Sequence, residues 1–235
     1  MARTKISHSE TETAASPPPK ETKGLAEQAY RAILQGLFDR TIPSGAELSQ
    51  SLLMKRLGIT VQPLRDALRT MEAEGLVSIH SRSCIRFIKA DLELSRSTYQ
   101  FRSLLERPGA RALAETGEAS DIEAMLADHR ALIADLEENG LHAEQEARLK
   151  EMEERLHGAL ITALRNPLIE ITARRLKNYV TLVRLDRLVT TPLALRTLRE
   201  HLEILEACAR RDADAAEAAL AMHFKQALQR ILGME

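Results

Sequence analysis

Aromatic residues are scarce in this chain, and their scarcity limits the kind of core that it can build. They make up 3% of its 235 residues, and Trp is absent. Leucine and alanine must therefore fill most of the interior, and helices accommodate both residues better than the strands of a β-sandwich do. The composition predicts a mainly α protein that is long enough for two domains.

Cysteines and long apolar runs are also rare. The two cysteines, Cys84 and Cys208, have no CxxC partner, which is typical of unpaired thiols in a reducing cytoplasm. No apolar run is long enough to span a membrane. Residues 1–22, interpreted as a disordered tail, lack the apolar segment of a secretory signal. We therefore expect a cytoplasmic protein without a membrane partner.

Residues 49–77 contain two short amphipathic helical patterns joined at a glycine. Apolar residues at helical spacing mark their inner face: Leu53, Leu57, Leu64, Ala67, Leu68 and Met71. Gly58 permits the sharp turn between the two helices. Thr60 is placed to cap the second helix, and Pro63 lies in its first turn, where the missing N–H costs nothing. This pattern predicts a helix-turn-helix that binds double-stranded DNA.

A supporting helix and a two-stranded wing flank the pair. The helix is predicted from Leu25 to Phe38, and residues 76–79 and 85–88 have strand character on either side of a polar tip. Six residues on the second helix or the wing are predicted to contact DNA: Thr60, Gln62, Arg65, Arg69, Arg82 and Arg86. The alternative is a small helical domain that uses the same pattern only for its core.

Charge divides the chain into a basic part and an acidic part. Residues 23–89 carry ten Lys or Arg and six acids, a net charge of +4. The residues before Lys23 are balanced and the whole chain has −1, so the part after Lys89 carries −5 by subtraction. A basic segment followed by an acidic one is typical of a DNA-binding domain joined to a separate sensor domain.

The second half is a series of Ala- and Leu-rich amphipathic segments, which we predict to pack as an antiparallel helical bundle. The predicted helices are 94–117, 120–138, 142–164, 167–189, 191–210 and 212–232, with a possible kink at Pro108 in the first. The predicted fold is thus an N-terminal winged helix-turn-helix followed by an all-α bundle. Its expected divisions are a tail (1–22), a DNA-binding domain (23–90) and a helical domain (94–235).

Histidines supply the candidate chemistry of the helical half. His157, His201 and His223 lie beside apolar neighbours on three different predicted helices, and Glu153 precedes His157 by one helical turn. Three imidazoles and a carboxylate make a suitable ligand set for a divalent transition metal. On spacing alone, ordinary satisfied histidines remain the alternative. Three other histidines are predicted to lie at the surface: His80, His129 and His142.

Several of these motifs resemble those of GntR-type bacterial transcription regulators. In the first half the resemblance rests on residues 57–60 (LGIT), 63–68 (PLRDAL) and 72–77 (EAEGLV). In the second half, residues 153–168, Glu200-His201 and Met222-His223 resemble the all-helical effector domain, called FCD, of the FadR-like branch.

This chain departs from the family pattern at three kinds of position. Val61 and Ser51 stand where basic residues are usual, and the glycine of the wing tip is missing. Glu153 stands where the family has an aspartate. The operator sequence therefore cannot be carried over from relatives, and the ligation by Glu153 is the least secure of the four.

The resemblance implies a function and a set of partners. Arg65 matches an arginine that contacts the operator, and Arg102 matches one that meets the carboxylate of a small organic-acid effector. Arg148 and Asn178 are expected to border the same cavity. The resemblance implies a homodimeric, nucleoid-associated regulator, usually a repressor, that holds Zn, Ni or Mn through Glu153 and the three histidines.

Two further interpretations remain open at this point. A metal-dependent enzyme fused to a DNA-binding module would use the same histidines to activate water. No convincing general base, nucleophile or phosphate loop accompanies them, so we expect the protein not to be an enzyme. The second alternative is a regulator whose metal is purely structural and whose effector binds elsewhere.

Overall fold

The computed structural model describes residues 20–82, 84–186 and 188–233, and side chains from residue 24 onward within those ranges. The contacts divide it into two compact units. The first ends at Ile88, and the second comprises the chain from Lys89 together with the short segment Pro43–Gly45. In the described ranges, no helix has the length and apolar character needed to cross a membrane.

The first unit combines three helices with a small antiparallel sheet. Its elements are α1 (Lys20–Phe38), β1 (Glu47–Leu48), α2 (Gln50–Leu57), α3 (Val61–Ala73), β2 (Val77–Ser81) and β3 (Cys84–Phe87). The strand order is β1-β3-β2, so β3 pairs with both neighbours. The apolar stripes of the helices are buried as predicted: Ala29, Ile33, Leu37, Leu53, Leu64, Ala67, Leu68 and Met71.

Caps and turns fix the helix-turn-helix locally. Ser49 caps α2 by accepting a hydrogen bond from the Leu52 amide at 3.2 Å. Gly58 has φ 66°, a left-handed conformation that suits a residue without a Cβ, and it ends α2. Thr60 precedes α3 at the N-cap position, but its side chain forms no capping hydrogen bond. The predicted cap position of Thr60 is therefore confirmed, but its hydroxyl makes no capping contact in the described structure.

The two-residue strand β1 was not predicted. Glu47 and Leu48 pair with Arg86 and Ile85 of β3, and the Gln50 amide donates to the Arg82 carbonyl at 3.1 Å. Two residues are too few to show alternation in the sequence, and the strand exists because β3 offers it an open edge. This pairing ties the wing to the start of α2.

The second unit is a bundle of six helices, as predicted. They are α4 (Leu92–Thr116), α5 (Ala119–Asn139), α6 (Ala143–Ala163), α7 (Pro167–Arg184), α8 (Thr191–Ala209) and α9 (Ala213–Ile231). Helix α4 packs against α6, α7, α8 and α9, while α5 packs against α6 and α8. Pro108 lies inside α4, which remains one helix. Helix α7 ends five residues before the predicted 189. Thr190 caps α8 by accepting a hydrogen bond from the Leu193 amide.

Candidate metal centre and DNA-contacting surface

Glu153, His157, His201 and His223 converge in the helical bundle. Each offers one ligand atom, and these four atoms lie within 4.8 Å of one another. Helix α6 supplies Glu153 and His157 from one face because they are four residues apart. His201 comes from α8 and His223 from α9, and both are almost fully buried. The structure thus brings together the four residues that the sequence singled out.

The histidine atoms that face one another lack hydrogen-bond partners. The Nε2 atoms of His157, His201 and His223 are all buried and unpartnered in the described structure. His201 Nε2 lies 3.4 Å from Glu153 Oε1 without forming a hydrogen bond. A buried polar atom without a partner is costly. Three such atoms beside one carboxylate fit a divalent metal, which would satisfy all of them at once.

Carboxylates fix the rings of two histidines from behind. His157 Nδ1 lies 2.5 Å from Glu106, and His223 Nδ1 lies 2.8 Å from Glu200. A carboxylate can only accept, so each Nδ1 carries the proton and each Nε2 presents a lone pair. Arginines hold the two carboxylates in turn: Arg102 pairs with Glu106, and Arg230 pairs with Glu200. Such supporting hydrogen bonds orient metal-binding histidines in proteins generally.

His129 is buried, so the prediction that it lies at the surface is wrong. Its Nδ1 lies 2.7 Å from the Met125 carbonyl oxygen, and its Nε2 lies 3.3 Å from His201 Nδ1. The signal was present in the sequence. His129 follows Ile122 by seven residues and Met125 by four, on the apolar face of α5. His80 and His142 are exposed, as predicted.

Burial favours the neutral form of His157, His201 and His129. It lowers the pKa of His157 to about 4, with Arg102 adding to the effect, and it lowers the pKa of His201 well below the usual value. Burial also lowers the pKa of His129. Neutral imidazole is the form that binds a metal, so at pH 7 these rings need not lose a proton first.

The carboxylates of the cluster are ionised. Burial alone would raise the pKa of Glu106, but Arg102 and His157 lower it to about 2. Burial likewise opposes ionisation of Glu153, yet Arg184 holds its pKa well below the usual value. Arg184 forms an ion pair with Glu153 and donates from Nε to the Tyr99 hydroxyl at 3.0 Å. No sequence pattern indicates this role of Arg184, since it depends on how α6 and α7 pack.

The three predicted effector residues lie in different settings. Arg102 is buried and donates two hydrogen bonds to the Glu106 carboxylate, from Nε at 2.7 Å and from Nη2 at 3.3 Å. Its guanidinium carbon lies 4.8 Å from the ring centroid of Phe224. Its Nη1 atom has no partner in the described structure. Arg148 pairs with Asp135 of α5 at 2.8 Å. Asn178 is half-buried in α7. Their contacts with an effector remain predictions.

Three of the predicted DNA contacts line one groove of the first unit. Arg65 and Arg69 of α3 share this groove with Arg82, which follows β2. Arg65 Nε lies 3.4 Å from the Gln50 side-chain oxygen, an acceptor on α2 that orients it. Arg69 is exposed, with only a 3.9 Å contact to Asp66. The groove therefore presents several cationic donors between α3 and the wing.

The remaining three predicted contacts differ in their availability. Gln62 is exposed, and its amide donates to Asp66 at 3.0 Å. Thr60 is exposed at the start of α3. Arg86 is exposed but pairs with Glu47 of β1 at 2.6 Å, which offsets its charge. We therefore expect Arg86 to contribute less to phosphate binding than Arg65 or Arg69.

The chain matches two protein families. Residues 25–87 match the gntR family of bacterial regulatory proteins, and residues 97–226 match the FCD domain. The chain is 26% identical over 210 residues to the HTH-type transcriptional repressor RspR of Escherichia coli K12, covering 87% of this chain and 88% of that protein. It is 20% identical over 197 residues to the uncharacterised HTH-type transcriptional regulator YdhC of Bacillus subtilis 168, covering 84% and 86%.

Solved structures show the same fold. A GntR transcriptional regulator from Rhodococcus sp. RHA1 superposes with a TM-score of 0.66 at 21% identity, covering 92% of this chain and 100% of that one. McbR/YncC of E. coli gives a TM-score of 0.64 at 16% identity, covering 89% and 98%.

Proposed function

Because this chain belongs to the FCD-domain branch of the GntR family of DNA-binding transcriptional regulators, we propose that it is a repressor that senses a small organic acid at a metal centre. The observation that carries the proposal is the convergence of three unpartnered Nε2 atoms on Glu153. The ligand set of imidazoles and one carboxylate suits Zn, Ni or Mn. When bound, the ion would supply Lewis-acid coordination positions for carboxylate oxygens.

Charge balance favours an anionic effector. Around the cluster, three carboxylates (Glu106, Glu153 and Glu200) are matched by three guanidinium groups (Arg102, Arg184 and Arg230). A divalent cation adds two positive charges to this buried site. Uncompensated charge is costly there, and a carboxylate ligand would offset it.

Arg102 is the side chain best placed to receive such an anion. Hydrogen bonds to Glu106 and stacking on Phe224 fix the orientation of its guanidinium group. Its Nη1 atom has no partner in the described structure. A fixed guanidinium binds a carboxylate with little loss of side-chain entropy.

On DNA we propose that a homodimer places α3 of each protomer in successive major grooves of a near-palindromic operator. Arg65, Gln62, Arg69 and Thr60 would contact bases or phosphates there, with Arg82 and Arg86 on the wing. Effector binding would favour a domain arrangement with the wrong half-site spacing, and so release the operator.

Electrophoretic mobility shifts test the proposal, with DNA from upstream of the protein's own gene as the probe. The purified protein is either treated with a chelator or loaded with Zn²⁺. A panel of small organic acids should release the operator only from the loaded protein. Glu153→Gln should retain the operator contact but lose the response, and its metal affinity should fall by at least about tenfold. Glu154→Gln is the matched control, because Glu154 is exposed on the same helix and pairs with Lys177 rather than with the cluster.

Two outcomes would contradict the proposal. One is the absence of a retarded band at moderate salt, and the other is an unchanged response in Glu153→Gln. A metal that raises the melting temperature, with no further shift from any acid, would indicate a purely structural ion.

A further inference from the structure

His129 stands directly behind His201, outside the group of four ligand atoms. We propose that His129 is a positioning residue that selects the tautomer of His201 and thereby keeps His201 Nε2 able to bind the metal. The inference rests on the proposed metal centre, but its first test needs no metal.

The hydrogen bonds fix the protons one after another. The Met125 carbonyl can only accept, so His129 Nδ1, at 2.7 Å, carries a proton. In a neutral ring, His129 Nε2 is then an acceptor. His201 Nδ1, at 3.3 Å, must therefore donate to it. His201 Nε2 is left with a lone pair that points toward the cluster.

Without His129 the opposite tautomer of His201 would gain the better partner. His201 Nε2 already lies 3.4 Å from the ionised Glu153 carboxylate, to which it could donate a proton. A proton on Nε2 would prevent that atom from binding a metal. His129 thus competes with Glu153 for the single imidazole proton of His201.

His201 needs this support more than its two companions do. His157 and His223 each have an ionised carboxylate at Nδ1, Glu106 and Glu200 respectively, and such an acceptor holds the proton strongly. Among the three rings, His201 is the one whose Nδ1 partner in the described structure is a neutral imidazole. A neutral partner adds no charge to a cluster whose carboxylates and guanidinium groups are already matched.

Two substitutions separate hydrogen bonding from packing. His129→Leu fills the space but cannot accept a hydrogen bond from His201. In His129→Gln the side-chain amide can donate to Met125 while its oxygen accepts from His201. Long-range ¹H–¹⁵N correlation spectra of the full-length protein, recorded in the presence of a chelator, report the tautomer of each histidine. We expect His201 to carry its proton on Nδ1 in the wild type and in His129→Gln, and on Nε2 in His129→Leu.

Zn²⁺ titration against a competing chelator supplies the second measurement. Loss of such a supporting contact typically lowers metal affinity by about 10–100-fold. We expect His129→Leu to lose Zn²⁺ affinity by a factor in that range and His129→Gln to restore most of it. His142→Leu, at an exposed histidine, should match the wild type.

An Nε2–H tautomer of His201 in the wild-type protein would overturn the inference, as would wild-type Zn²⁺ affinity in a folded His129→Leu. If His129→Leu fails to fold, the wild-type tautomer still decides. A wild type that binds no Zn²⁺ at all would instead refute the proposed metal centre, whatever the tautomer.

Discussion

At the scale of single residues, the two carboxylate oxygens of Glu153 face different groups. Its carboxylate pairs with Arg184, which Tyr99 also holds, and it lies 3.4 Å from His201 Nε2. A buried carboxylate without a counterion would be strongly destabilising, so Arg184 stabilises the fold while no cation is bound. Because Arg184 pairs with Oε2 while Oε1 faces His201, Oε1 stays available to a metal while Arg184 holds the other oxygen.

Arg65 is expected to dominate specific DNA binding at this scale. Because Gln50 orients its guanidinium in the groove beside α3, Arg65→Ala should weaken operator binding by about 1–3 kcal/mol. Arg31→Ala removes the same charge from α1, where Arg31 is exposed and pairs with Glu27. Fluorescence anisotropy at one fixed salt concentration compares the two variants. Equal losses in both would show that only net charge matters.

At the scale of elements, the close approach of α4 and α6 positions the cluster. A Cβ on Gly109 of α4 would lie 2.2 Å from the Leu160 carbonyl oxygen of α6. Since that atom belongs to the backbone, it cannot move aside cheaply. The contact lets Glu106 of α4 reach His157 of α6.

Gly109→Ala should therefore force the two helices apart. We expect the free energy of unfolding to fall by about 1–3 kcal/mol, the usual cost of overpacking, and Zn²⁺ binding to weaken with it. Gly158→Ala is the control: Gly158 is in α6 with open space around it, and the substitution should stabilise by about 0.5–1 kcal/mol. Urea unfolding in chelator measures both. Equal or greater stability of Gly109→Ala would contradict the packing argument.

At the scale of the whole molecule, the buried histidines should make the metal-free protein sensitive to acid. The pKa of His157 is about 4 in the folded protein, against 6.5 for the free side chain. As the pH falls from 6.5 to 4, His157 is protonated in the unfolded chain but stays neutral in the folded protein. The free energy of unfolding therefore falls. The lowered pKa of Glu106 adds a further loss below 4.5.

Thermal melts in chelator at pH 7 and pH 5 test this dependence. The melting temperature should be lower at pH 5, and His157→Gln should reduce the difference. Substitution of the exposed His142 by Gln should leave the difference as it is in the wild type. A melting temperature that stays constant or rises at pH 5 would contradict the lowered pKa of the buried His157.

Periodicity predicted the helical fold because each helix buries one apolar stripe, as Leu64, Leu68 and Met71 show in α3. The four candidate ligands could also be chosen from the sequence, with the family resemblance adding weight. Their supporting partners could not. Whether Arg184 reaches Glu153, or His129 reaches His201, depends on how separate helices pack against each other, which no local sequence pattern shows.

The two-residue strand β1 links the wing to the helix-turn-helix in the described structure. Because β1 pairs with β3 and leads directly into α2, the wing and the helix-turn-helix are joined by backbone hydrogen bonds rather than by a free loop. Their mutual orientation is preorganised. The entropy of aligning these two proposed groove-contacting elements is lost when the polypeptide folds, and binding does not have to offset it again.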